Sequence, residues 1–182
     1  MTDWAKTSTF YHIYPLGLCG APKYNEGEST AGNRLQTLYS WLDAIQDLGC
    51  DALYLGPLFQ SRWHGYDTTD YYQVDSRLGT NDDLKSFSDE LHQRGMRLVL
   101  DGVFNHVGRE FWAFQDLLHH GQNSIYKDWF VDVNFSRRSP KGDAFDYATW
   151  DGHYSLPKLN LHNPEVRKHL LDAVLMWMRE FK

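Results

Sequence analysis

Apolar positions along the 182-residue chain follow two alternating rhythms. Short apolar runs of strand length occur at Phe10-Tyr11-His12-Ile13-Tyr14, Ala52 to Leu55 and Arg97 to Leu100, the first of them ended by Pro15. Each run is followed by a segment whose apolar residues lie three and four apart, the spacing of one helix face. The first such segment carries Leu35, Leu38, Leu42, Ile45 and Leu48 and is closed by Gly49. The second starts at Thr80 as N-cap, has Asp82 and Asp83 in its first turn, presents Leu84, Phe87 and Leu91, and ends at Gly95. The last is capped by Asn163, opened by Pro164, and carries Val166, Leu170, Val174 and Met178. Strands alternating with helices predict an α/β fold with a parallel sheet.

An internal repeat supports this order. Gly49-Cys50-Asp51-Ala52-Leu53-Tyr54-Leu55-Gly56 aligns without gaps on Gly95-Met96-Arg97-Leu98-Val99-Leu100-Asp101-Gly102, a unit of helix end, tight turn and strand. Helix-to-strand turns are short, whereas the connections after the strands are long: 15 to 33, 56 to 79, and 102 to about 163. Parallel α/β domains place their chemistry on the loops after the carboxyl ends of strands, and long loops in compact domains usually serve function. By the same alternation a fourth strand is due just after Phe181-Lys182. Three parallel strands with open edges predict the front part of something larger.

Composition narrows the partners. With 18 basic and 24 acidic residues the formal charge is -6, which offers no field for a phosphate backbone; nucleic acid is not an expected partner, and the substrate is expected to be neutral or cationic. No apolar run reaches the length of a membrane span, and Met1 to Thr9 does not read as a secretory signal, so a cytoplasmic protein without a membrane partner is expected. Cys19 and Cys50 are read as reduced, partly buried thiols. Aromatic content is 15%, with 7 Trp, 11 Tyr and 10 Phe, more than one core of this size needs, so some rings are expected to face a ligand.

Two clusters could carry chemistry. Asp101-Gly102-Val103-Phe104-Asn105-His106 sets an acid at a strand end with an amide and an imidazole just beyond it, although a strand-end Asp can also simply cap a loop. Trp63-His64-Gly65-Tyr66-Asp67-Thr68-Thr69-Asp70-Tyr71-Tyr72 alternates aromatics with hydrogen-bonding side chains around a Gly. Sugars want that mixture of apolar faces and polar rims; the plainer alternative is a surface loop packed back on the fold. A metal-hydrolase site built from His64, Asp67, Asp101 and His106 is a further alternative, with no His-Glu-x-x-His helix to support it.

From about Thr9 to Phe181 the sequence resembles the α-amylase family of glycoside hydrolases. Asp101, Asn105 and His106 match its first signature motif, and His64-Gly65-Tyr66-Asp67 through Asp70-Tyr71, leading to Val74-Asp75-Ser76-Arg77-Leu78-Gly79-Thr80, looks like its loop after strand two. Leu156-Pro157-Lys158-Leu159-Asn160 is similar to the motif of the neopullulanase, cyclomaltodextrinase and maltogenic amylase branch, with Leu156 where that branch usually has Met.

The resemblance implies the first three βα units of a TIM (β/α)8 barrel: residues 1–106 as its first part, 107–162 as an inserted small domain after strand three, and 163–182 as the third barrel helix. It implies that Tyr66 stacks on the sugar, that His64 and His106 hydrogen-bond its hydroxyls, and that Asp101 braces the neighbourhood of a catalytic carboxylate. Asn105 matches a position that ligates calcium in many members, a site that branch often lacks; no cofactor is otherwise required. Trp63 stands where exo-acting α-glucosidases carry an Asp, which implies action within longer or cyclic α-glucans. The implied activity is retaining hydrolysis of α-1,4-glucosidic bonds in starch-type oligosaccharides or cyclodextrins. The family's nucleophile and acid/base come from later strands, so no catalytic carboxylate is expected within this chain, and the rest of the barrel is expected from the same polypeptide. Alternatives are a transglycosylase or isomerase of the same family, or an amylase-like binding scaffold; such scaffolds in amino-acid transporters carry a membrane anchor, which this chain is not expected to have. Homo-oligomer formation is left open.

Overall fold

A computed structural model describes residues 4–27 and 32–181. In chain order the strands are β1 (Phe10–Ile13), β2 (Ala52–Leu55), β3 (Phe59–Ser61), β4 (Thr68–Val74), β5 (Arg97–Leu100), β6 (Thr149–Trp150) and β7 (His153–Pro157). The helices are α1 (Pro15–Leu18), α2 (Gln36–Tyr39), α3 (Leu42–Asp47), α4 (Asn81–Gln93), α5 (Trp112–His120) and α6 (Pro164–Glu180). The chain divides into two compact units, one of Met1–Leu58, Gln73–Gly102 and Trp177–Lys182, the other of Phe59–Tyr72 and Val103–Met176.

The first unit holds a parallel sheet in the order β1-β2-β5. Gly49 and Gly95 end the segments before β2 and β5 with φ of 76° and 74°, a left-handed turn that glycine enters at little cost. The two halves of the sequence repeat are thus the same local device. They are not level in the sheet, because Ala52 lies beside Arg97 while its repeat partner Leu98 lies beside Leu53.

Helix α4 begins as the sequence predicts: the Thr80 hydroxyl accepts from the Asp83 amide at 3.2 Å, and the Asp83 carboxylate accepts from the Thr80 amide at 2.8 Å. Its Leu84, Phe87 and Leu91 are fully buried, as are Leu35, Leu38, Leu42, Leu53 and Leu55 of the same unit. This unit also buries an ion pair between Asp75 and Arg77, with Nη2 to Oδ2 at 2.7 Å and Nε to Oδ1 at 2.8 Å, and the Asn25 amide donates to Asp75 at 3.2 Å. Cys19 and Cys50 are free thiols, and burial pushes the Cys19 thiol up to about 11.

Three elements differ from the sequence expectation. The segment read as one helix from Leu35 to Leu48 is two, α2 and α3, separated at Ser40 and Trp41. The Ser40 hydroxyl turns back to the Thr37 carbonyl at 2.8 Å, the local bond by which serine competes with a helix backbone. Pro15 does more than end a strand: it opens the one-turn helix α1, because its fixed φ suits a first helical position. The connection from 56 to 79 is also structured, containing the paired strands β3 and β4.

In the second unit, α5 is followed by two 3-10 turns, Gly121–Asn123 and Lys127–Trp129, and by the antiparallel pair β6 and β7. Its core is aromatic. Phe111, Phe114, Phe130, Phe145 and Tyr147 are buried, and Phe114 meets the last three edge-on at 4.9 to 6.2 Å. Arg109 grips Asp143 with two nitrogens at 2.9 and 2.8 Å, which holds that carboxyl below its ordinary value. Helix α6 starts with the Asn163 side chain accepting the Glu165 amide at 2.8 Å, as the sequence predicts.

Candidate sugar-binding site

The site is built on the β3-β4 connection. Asp67 is 6% exposed, and its carboxylate accepts three backbone amides: Trp63 at 2.8 Å, His64 at 3.0 Å and Gly65 at 3.1 Å. A single buried carboxylate therefore folds the loop into a hoop. Behind it Gly108 donates its amide to the Thr68 carbonyl at 2.8 Å; a Cβ there would lie 2.5 Å from the Asp67 carbonyl oxygen, so no larger residue fits without moving the backbone.

Two imidazoles fix the tyrosine of the hoop. The Tyr66 amide donates to His64 Nδ1 at 3.1 Å, which requires a lone pair on that nitrogen and leaves Nε2 to carry the ring proton. His64 Nδ1 also lies 3.3 Å from Asp67. On the other side, His106 Nε2 meets the Tyr66 carbonyl at 3.0 Å and its Nδ1 meets the Asn105 amide at 3.2 Å. Burial keeps the His106 imidazole below its ordinary value, only partly offset by the Tyr66 carbonyl, so at neutral pH the ring is uncharged with its proton on Nε2.

A hollow of about 620 Å³ opens over this arrangement. Trp63, His64, Tyr66 and His106 line one part of it, and Trp150, His153, Ser155 and Leu156 of the β6-β7 hairpin line the other. Trp63, Tyr66 and Trp150 remain 43%, 44% and 47% exposed, as platforms for a ligand would be and core residues would not. His153 stacks on Trp150 with ring centroids 5.6 Å apart and planes 21° from parallel.

Of the residues singled out from sequence, the structure brings Trp63, His64, Tyr66 and His106 to this hollow. Asp67 acts as the brace of the hoop. Both ring nitrogens of His106 have protein partners, which ties the residue to Tyr66 and Asn105 at the edge of the hollow. Asp101 follows β5 in the first unit, where its amide donates to the Leu55 carbonyl at 3.1 Å. Among the described residues no three His, Cys, Asp or Glu side chains gather as a metal-holding group.

Trp150 and His153 escaped the sequence reading. The available signal was Asp151-Gly152 between them, a two-residue turn with φ of 47° and 77° that closes the β6-β7 hairpin.

Comparison with known proteins decides the family. Residues 21–182 match the family model described as alpha amylase, catalytic domain. The chain belongs to the alpha-amylase family. It is 37% identical to the cyclomaltodextrinase of Geobacillus thermopakistaniensis and 36% identical to the intracellular maltogenic amylase of Bacillus subtilis, in each case over 98% of this chain and 32% of the relative. Among solved structures it is similar to the cyclic alpha-maltosyl-(1-->6)-maltose hydrolase of Arthrobacter globiformis in complex with that sugar, with a TM-score of 0.81, 34% identity, and coverage of 98% of this chain and 43% of the other. The debranching enzyme of Nostoc punctiforme gives a TM-score of 0.82 at 36% identity, covering 97% of this chain and 40% of the other. The chain thus spans about a third of the length of the curated relatives it matches. The β1-β2-β5 sheet of this alpha-amylase family member is part of a TIM barrel.

Proposed function

We propose that the chain is the substrate-binding front part of a glycoside hydrolase that cleaves α-1,4-glucosidic bonds in starch-type oligosaccharides or cyclodextrins. The observation that carries this reading is the meeting of three half-exposed aromatic rings, Trp63, Tyr66 and Trp150, on one hollow rimmed by imidazoles. The names of the relatives, a cyclomaltodextrinase and a maltogenic amylase, support it.

The chemistry follows from the residues. Aromatic faces remove water from the apolar faces of glucosyl rings, and Tyr66 is held at both ends for that purpose, its amide tied to His64 and its carbonyl to His106. His64 offers its imidazole to a sugar hydroxyl, and His153 and Ser155 supply further polar contacts at the rim. The three platforms carry no charge that would have to be desolvated when a neutral sugar enters. Bond cleavage by retention needs a nucleophile and an acid/base about 5–5.5 Å apart. Both come, on this reading, from polypeptide beyond Lys182, with Asp101 bracing their neighbourhood. Residues 1–106 and 163–182 then serve as barrel, 107–162 as the inserted domain, and the cytoplasm is the compartment. A calcium at Asn105 would take the amide oxygen of that residue, since the nitrogen is turned to His106.

A binding and turnover comparison tests the proposal. The 182-residue chain should bind maltotriose and β-cyclodextrin and hydrolyse neither. Tyr66→Ala should weaken binding by about 1–3 kcal/mol. Turnover by a pure sample, or unchanged binding after loss of the ring, would overturn the reading.

A further inference from the structure

The second unit has another hollow, of about 380 Å³, that shares no lining residue with the first. We propose that it is an auxiliary binding site for a neutral α-glucan segment, formed by Gln122, Asn123, Lys127, Asp128, Val133 and Phe135. The ligand class rests on the function proposed above; the location does not.

A largely polar, exposed lining surrounds one apolar patch here. Phe135 is half-buried and braced by Phe145, with ring centroids 5.5 Å apart, and Val133 joins it in the lining. Around them the side-chain amides of Gln122 and Asn123 and the carboxylate of Asp128 make no hydrogen bond to another described residue. Those three groups offer paired donors and acceptors, which is what neighbouring hydroxyls on one sugar ring require. Charge argues for a neutral ligand. Lys127 and the adjacent Asp128 cancel, and the Lys127 ammonium donates to the Gln122 carbonyl at 3.1 Å, so no net positive field awaits a phosphate.

The rim is also preformed. The Asp128 carbonyl accepts from the Asn160 and Asn163 amides at 2.9 and 3.2 Å, which fixes one 3-10 turn. Between the two turns the Ser124 hydroxyl donates to Asp116 at 2.6 Å and accepts from the Tyr126 amide at 3.1 Å. Little backbone freedom is left to lose when a ligand binds.

The experiment is a titration of the ¹⁵N-labelled chain with maltotriose, followed by NMR. The side-chain amides of Gln122 and Asn123 report this hollow, and the indole N–H groups of Trp63 and Trp150 report the first. Both sets should shift and saturate. Phe135→Leu, which keeps the lining apolar but removes the ring, and Asn123→Ala, at an exposed position, should each weaken the Gln122 response about tenfold while the indole response stays unchanged. Indole shifts without amide shifts would overturn this inference and leave the proposed function standing. Silence from both sets would overturn both. Tighter binding of glucose 6-phosphate than of maltotriose at Gln122 would overturn the neutral ligand, and unchanged affinity in both variants would overturn the site.

Discussion

The two units use a buried aspartate in opposite ways. In the first, Asp75 faces Arg77 and Asn25 side chain to side chain, and Arg77 reaches on to the Pro22 and Lys23 carbonyls at 3.0 and 3.2 Å. The negative charge is cancelled by a positive one, and residues 22–25 are tied to 75–77 across some fifty positions of sequence. In the second, Asp67 meets three backbone amides, so its charge is shared among peptide dipoles. A carboxylate that holds consecutive amides dictates the path of one loop. The first arrangement stabilises a scaffold; the second shapes a hollow that bears three exposed rings.

Breaking each aspartate should separate the two roles. Asp75→Ala removes the carboxylate that faces a buried guanidinium, and a loss of about 3–5 kcal/mol in unfolding free energy is expected by chemical denaturation. Replacing both partners together, Asp75→Leu with Arg77→Met, should recover only part of that loss: no charge is then left in the interior, but the Asn25 amide and the Pro22 and Lys23 carbonyls lose their bonds to the pair. Asp67→Ala should cost less, about 2–3 kcal/mol, yet abolish maltotriose binding, since the amides of Trp63, His64 and Gly65 lose the acceptor that sets the ring positions. If sugar binding survived Asp67→Ala, the hoop would not be what aims Tyr66.

The same contrast explains what could be read in the sequence and what could not. The β1-β2-β5 sheet and α4 rest on period and punctuation: apolar spacing, the Thr80 cap, and glycines at the left-handed positions 49 and 95. Those signals are local and lie in the letters. The split of α2 from α3 at Ser40 depends on a side chain choosing a backbone carbonyl over solvent, which no spacing records. At the site, Trp63, His64, Tyr66 and His106 were legible because two short stretches gather rings and hydrogen-bonding groups after strand ends. Trp150 was not, because it reaches the hollow only through the pairing of β6 with β7, although Asp151-Gly152 marked that turn. The contact of His106 with the Tyr66 carbonyl was not legible, because it joins residues forty positions apart in the chain.

Gly108 sharpens the comparison at a smaller scale. A methyl group there would meet the Asp67 carbonyl oxygen at 2.5 Å and its carbon at 3.0 Å, both of them backbone atoms that cannot swing aside. Gly108→Ala should therefore destabilise by about 1–3 kcal/mol and shift the Trp63 and Tyr66 resonances, whereas a packing defect remote from the hoop would lower stability without moving them. Unchanged resonances would mean that the hoop adapts.

The smallest expected effect is one of pH. Burial holds the His106 and His169 imidazoles of the second unit below their ordinary value of 6.5, against weaker pulls upward from the Tyr66 carbonyl on the first and from Asp70 and Asp172 on the second. His169 sits among the rings of Tyr72, Trp112 and Trp129 at 5.4 to 5.7 Å, and its Nε2 is buried without a hydrogen-bond partner among the described residues. Below 6.5 the unfolded chain takes up a proton on each imidazole that the folded chain refuses, so the unfolded state gains. Stability is therefore full above 6.5 and falls as the pH drops through that value toward the lower folded ones. His169→Phe should flatten this slope while leaving maltotriose binding intact. His106→Phe should flatten it and also weaken binding, because the Tyr66 carbonyl loses its donor. Equal effects of the two substitutions on binding would show that the aromatic box around His169, and not only the hoop, governs the hollow.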